Sequence, residues 1–306
     1  MAFFADWMQW LHAVLVAPFS EFVFMRRALV AALAISMASA PLGVWLTLRR
    51  MSLVGDALSH AILPGVAIGF MLFGLSLWAM ALGGLLAGLL VVALAGLISR
   101  TTTLKEDASL AALYLGALAL GVLLVSQRGT QLDLLHILFG SVLGVGADGL
   151  LLVAGTATFT VLAMALLYRG LLLESFDPLY LSSHRNRQRG WQWFGSGAAI
   201  QQFFLMLVVV NLVAAFQTLG TLMAVGLMML PAVSARLWHS TLPAQLVNSA
   251  VQAAMAAYAG LVLSFHFDMP SGPSIIAAAT ALYFASLLLG PRGWVRQVFR
   301  KQHRLG

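Results

Sequence analysis

The sequence predicts an all-α integral membrane protein, a bundle of about eight or nine transmembrane helices with short re-entrant or broken helices. Three observations predict it. Of the 306 residues, 61% are hydrophobic and only 9% are charged, and a mean hydropathy of +0.94 is too high for a chain that must cover itself with a water-facing surface. Stretches free of Asp, Glu, Lys and Arg run over 28–48, 57–99, 108–127, 134–147, 149–168, 190–235, 237–267 and 269–291, and about twenty apolar residues suffice to cross a bilayer as a helix. The basic residues cluster between these runs.

Taken in order, residues 1–25 mix Asp6, His12, Pro18 and Glu21 with aromatics and lack the basic start and small-residue cleavage site of a signal peptide. They are expected to form an N-terminal interfacial segment anchored by Trp7 and Trp10. The transmembrane domain is expected over 26–292. Within it, 57–99 and 190–235 are long enough for two crossings each, with turns near Gly74 to Ser76 and near Gln217 to Gly220, whereas 134–147 is too short for one. Residues 293–306 form a basic tail. Arg49 and Arg50, Arg100 with Lys105, Arg169 with Arg185, Arg187 and Arg189, Arg236, and the arginines from 292 onward fall on alternate loops of a nine-crossing chain. An excess of Lys and Arg marks cytoplasmic loops, which puts those loops and the C-terminus in the cytoplasm, with Arg26 and Arg27 on the opposite side. The absence of cysteine excludes disulfides and thiolate metal sites. The net charge of +7 comes with no basic stripe of the kind nucleic acid requires.

Ionisable side chains within apolar spans are costly and mark function. The clearest pair is Asp56 and His60, whose spacing of four places a carboxylate and an imidazole on one helix face. Carboxylate oxygen with imidazole nitrogen suits zinc, manganese or iron(II). A continuous helix from Arg50 would carry His60 about 15 Å deep. The same spacing also fits an Asp56 that caps the helix and a His60 bonded to a backbone carbonyl. Beyond it, Leu63-Pro64-Gly65-Val66-Ala67 and Leu230-Pro231-Ala232-Val233-Ser234 have a similar make-up. Paired proline interruptions in two halves of a transporter point to a site between them, which makes Pro64, Pro231 and Ser234 candidate pathway residues. A coincidence of kink placement would give the same pattern.

His136, beside Asp133, is a further pathway candidate or a packed histidine. His266 and Asp268 are expected to be solvated in a loop, Glu106 and Asp107 to cap a helix start, and Met223, Met228, Met229 and Met255 to fill a core. The polar insert, about 174–192, contains Phe176-Asp177-Pro178 and an arginine-rich run with Arg185 and Arg187. It is expected in the cytoplasm, as a docking segment or a solvated loop that attracts anionic headgroups. No glycine loop followed by Lys and Ser or Thr exists in the chain, so it carries no phosphate cradle of that kind.

Arg49-Arg-Met-Ser-Leu-Val-Gly-Asp-Ala-Leu-Ser-His-Ala-Ile-Leu-Pro-Gly-Val-Ala67 resembles the signature of zinc/manganese ATP-binding-cassette permeases. Lys105 to Ala108, Leu132 to Gly140, Phe176 to Pro178, Leu230 to Ala232 and Pro270 to Pro273 occur in that family's order, so the resemblance covers about residues 20 to 290. It implies a permease of the bacterial plasma (inner) membrane that is not itself an enzyme, with the ATPase in a separate subunit. The implied partners are a cytoplasmic ATP-binding subunit, an extracytoplasmic metal-binding protein, and a second copy or a related permease, besides the surrounding lipids. No tightly bound cofactor is expected, only the transported zinc, manganese or iron. Asp56 and His60 would contact the metal, and Phe176, Asp177, Pro178, Arg185 and Arg187 would belong to the segment that couples to the ATPase. Ser182 to Arg189 is more polar than that family's pattern. The alternative, a proton-coupled secondary transporter using Asp56 and His60, would need no ATPase.

Overall fold

A computed structural model describes residue 7 and residues 12–126, 142–176 and 197–294. Every regular element among them is helical. A π-helical turn, His12–Val16, leads into α1 (Ala17–Glu21) and α2 (Val23–Leu48). There follow α3 (Val54–Ala61), α4 (Leu63–Phe73), α5 (Leu77–Thr101) and α6 (Glu106–Ser126). A 3-10 turn, Val142–Gly144, precedes α7 (Ala147–Phe176), α8 (Gly197–Leu219), α9 (Thr221–Trp238), α10 (Leu242–Phe267) and α11 (Ser271–Leu289). Among the described residues nine spans are long and apolar enough to cross a membrane, with α3 and α4 together forming one of them. The fold class is therefore as the sequence predicts.

The two predicted turns inside long apolar runs are present, and glycine makes both. Gly74 ends α4 at φ +67 and Gly220 separates α8 from α9 at φ +88. A side chain at such backbone angles is strained, so glycine is the residue suited to end a helix there.

The chain divides into two compact units. One comprises Met1–Val44, Leu132–Ala154 and Ala215–Gly306, and in it α9, α10 and α11 pack on one another. Small residues allow the close approach expected of membrane helices, where apolar burial against lipid provides no drive. A Cβ on Gly260 would overlap the backbone of Ile275, and one on Gly43 would overlap the carbonyl of Met228. The other unit comprises Trp45–Gln131 and Gly155–Ala214. Here α4 and α5 interlock through Gly65 and Gly83, each pressed on the other's carbonyl, while α6 lies against α3, α4 and α5. Trp45 is fully buried and meets Tyr168 edge-on at 6.0 Å.

Three expectations about chain breaks are corrected. The helix does not run on from Arg50 to His60, because residues 49–53 form a turn and α3 begins at Val54. His60 is then six residues, or about 9 Å, from the start of its helix. Pro231 does not interrupt α9, which continues across it, whereas Pro64 stands in the first turn of α4. That position needs no hydrogen bond from the proline nitrogen. The two proline segments are thus not equivalent. Glu174 is no part of an exposed insert: α7 extends through it to Phe176, and its carboxylate is buried.

Candidate functional site

The turn into α3 is a complete Schellman motif. Met51 N–H donates to Leu46 O at 2.9 Å and Arg50 N–H to Thr47 O at 3.2 Å, with Arg50 left-handed at φ 61. A side chain in that conformation costs on the order of 1 kcal/mol, so the surroundings must hold it. Val54 N–H then bonds Met51 O and α3 starts.

Apolar Val54, Ala57, Leu58 and Ala61 pin one face of α3 into the unit. Asp56 and His60 share another. Asp56 lies in the first helical turn and His60 in the last, each favourable toward the helix dipole in its charged form. The Asp56 side chain is 62% exposed and that of His60 26%, with Oδ1 and Nε2 3.8 Å apart. This is too far for a hydrogen bond. Two tetrahedral ligands at about 2.1 Å from one ion stand roughly 3.4 Å apart, so a slight rotation of either side chain matches that spacing. His60 Nδ1 is enclosed without a hydrogen-bond partner among the described residues, which leaves Nε2 as the accessible nitrogen. Among the described residues no group of three or more His, Asp or Glu side chains gathers.

At the other end of the turn, Arg49 forms an ion pair with Glu174, at side-chain exposures of 7% and 13%. The guanidinium also sits over the Phe204 ring, 4.9 Å from its centroid. Burial lowers the Arg49 pKa from its ordinary value, opposed by the negative charges of Glu174 and then Glu106. Glu106, at the start of α6, accepts a short hydrogen bond from Gln201 Nε2, which also stands 3.8 Å from Met51 Sδ. Glu106 is therefore more than the helix-start acid expected of it.

The other predicted positions are dispersed. Pro64 follows α3 closely. Pro231 and Ser234 are buried in α9 of the other unit, where Ser234 Oγ donates to Ser286 Oγ at 2.7 Å. Phe176 is exposed at the end of α7. His136, Asp177, Pro178, Arg185 and Arg187 lie outside the described residues, as does Trp10. His266 is not merely solvated, because its Nε2 is 2.9 Å from Val14 O. Met223 and Met228 are fully buried, while Met255 is exposed.

The profile of the ABC 3 transport family matches residues 21–290. The chain belongs to the ABC 3 transport family. This ABC 3 permease is 34% identical over 276 residues to the manganese transport system membrane protein MntC of Halalkalibacterium halodurans, covering 89% of each chain. It is 32% identical over 273 residues to the manganese import system permease protein ScaB of Streptococcus parasanguinis, covering 89% of this chain and 92% of that one. Its fold matches PsaBC from Streptococcus pneumoniae, solved in complex with Fab, at a TM-score of 0.76 and 28% identity over 92% of this chain and 96% of the other. It is a multi-pass protein of the bacterial inner membrane, the membrane-spanning permease component of an ABC importer.

Sequence reasoning missed Glu174, Gln201 and Phe204 as contacts of the turn before α3. Their signal was faint: a carboxylate at the edge of an apolar run, and a Gln three residues before an aromatic at the start of the next.

Proposed function

We propose that this ABC 3 permease imports manganese or a closely similar divalent transition metal, with Asp56 and His60 contacting the ion in transit. The observation that carries the reading is the convergence of Asp56 Oδ1 and His60 Nε2 on one accessible face of a short helix. Two relatives at 34% and 32% identity are a manganese transport system membrane protein and a manganese import system permease, which supports manganese as the cargo. A carboxylate and an imidazole accept that ion as well as zinc or iron(II).

Two ligands bind weakly. Remaining positions filled by water, or by a second permease copy, permit release where four protein ligands would trap the ion. ATP hydrolysis belongs to a separate cytoplasmic subunit, and an extracytoplasmic metal-binding protein delivers the ion. The insert that begins after Phe176, with Asp177, Pro178, Arg185 and Arg187, forms the contact with the ATPase.

The test is metal uptake into vesicles by the reconstituted complex of permease, ATP-binding subunit and binding protein. Manganese should be taken up in an ATP-dependent manner, and zinc and iron(II), run in parallel, rank the cargo. The Asp56→Ala and His60→Ala double variant should fall to the level of empty vesicles. Uptake at the parental rate by a fully assembled double variant removes the assignment.

A further inference from the structure

The polar insert and the candidate metal helix are far apart in sequence, yet the helix ends that flank the insert both contact the turn that leads into that helix. On the near side, Glu174 stands two residues before α7 ends at Phe176 and is ion-paired with Arg49. On the far side, α8 starts at Gly197, and within its first two turns Gln201 reaches Met51 and Phe204 underlies the Arg49 guanidinium. Gln201 and Phe204 are three apart, so they share one helix face. These two helix ends also touch: a Cβ on Gly197 would stand 3.1 Å from Glu174 Cγ. From Arg49 it is seven residues to Asp56.

Stability alone is a poor reason for this arrangement. Arg49 Nε and Nη1 are buried without a hydrogen-bond partner among the described residues, so part of the hydration the guanidinium loses is not replaced by hydrogen bonds. Buried ion pairs of this kind are often replaced by apolar residues at no loss of stability. Their attested advantage is to specify one arrangement over another. The turn that this pair holds carries Arg50 in a left-handed conformation, which persists only where the surroundings fix it.

We propose that Arg49 and Glu174, backed by Gln201 and Phe204, are positioning residues that couple the end of α7 and the start of α8 to the turn at 49–53 and so to Asp56 and His60. The proposal rests on the reading of this chain as a metal importer driven through that insert. An ATP-dependent shift of these two helix ends carries Glu174 and Gln201 together, and the turn follows because it is held from both sides. Without the ion pair the ATPase still cycles, but α3 does not follow it.

The test uses the assembled complex in vesicles, with manganese uptake and ATP hydrolysis measured on the same samples. Glu174→Gln, and the double change Arg49→Met with Glu174→Leu, should each retain ATPase activity while uptake per ATP falls about tenfold, a coupling loss in the usual range. The double change removes both charges and leaves neither buried alone, so it should assemble even if Glu174→Gln does not. The chain has no cysteine, so Leu53→Cys, at a side that is 82% exposed, takes a single spin label on the turn itself. In the otherwise parental complex its spectrum should change on adding ATP, and the double change should abolish that response. An unchanged uptake-to-ATP ratio in either assembled variant, or a label at 53 that ignores ATP in the parental background, overturns the proposal. If the parental complex takes up no metal at all, or the Asp56/His60 variant transports normally, it is the functional reading that fails instead.

Discussion

At the scale of single residues, the buried hydroxyls show how one bond can be asymmetric. Ser234 Oγ donates to Ser286 Oγ at 2.7 Å, and Ser286 Oγ donates in turn to Leu282 O at 2.7 Å. Ser234→Ala removes one donor and leaves Ser286 satisfied, so a loss of about 0.5–1.5 kcal/mol is expected. Ser286→Ala strands the Ser234 hydroxyl inside the protein, and the loss should rise to about 1–3 kcal/mol. Chemical denaturation in detergent, with both variants side by side, checks the order. The Asp56 and His60 pair was legible at this scale because a spacing of four is a local property. The partnership of Arg49 with Glu174 was not, since 125 residues separate them and no periodicity links a residue to a partner that distant.

At the scale of elements, glycine decides how closely helices approach. Gly65 of α4 and Gly83 of α5 press on each other's carbonyls, so Gly65→Ala has nowhere to put a methyl group without moving the backbone. It should destabilise by about 1–3 kcal/mol. Gly116, in the middle of α6, faces open space on an apolar groove between α4, α5 and α6. There Gly116→Ala should be neutral or stabilising by up to about 1 kcal/mol, because alanine is the better helix former. Thermal melting of both variants in one detergent separates the cases. Breaks at Gly74 and Gly220 could be read in advance because glycine at positive φ ends a helix by its own chemistry. The break at 49–53 could not: Arg-Arg-Met-Ser-Leu holds no helix breaker, and its geometry depends on contacts made from α7 and α8. Pro231 misled in the opposite sense, because α9 carries on across it where a proline ordinarily kinks or breaks a helix.

At the scale of the whole molecule, the proposed function assigns ATP hydrolysis to a separate subunit. This chain contains no glycine-rich loop ending in Lys and Ser or Thr to cradle a nucleotide. Vesicles carrying this chain alone should neither hydrolyse ATP nor accumulate manganese, and both activities should appear when the ATP-binding subunit and binding protein are added. Uptake by the chain alone under a pH gradient would instead support a proton-coupled carrier. The fold class and a range of eight or nine crossings were legible because hydropathy is an average over many residues, which survives local error; among the described residues nine spans qualify.

One consequence concerns synthesis. Tyr258 Oη donates to Leu15 O at 2.8 Å, Phe19 stacks on the Tyr258 ring, and His266 Nε2 lies against Val14 O, all joining the first helical turns to α10. Leu15 and Tyr258 are 243 positions apart. At about 5–20 residues per second the ribosome needs roughly 12–50 s to make that interval. Throughout it Val14, Leu15 and Phe19 lack these partners, so this contact closes only once α10 has been made.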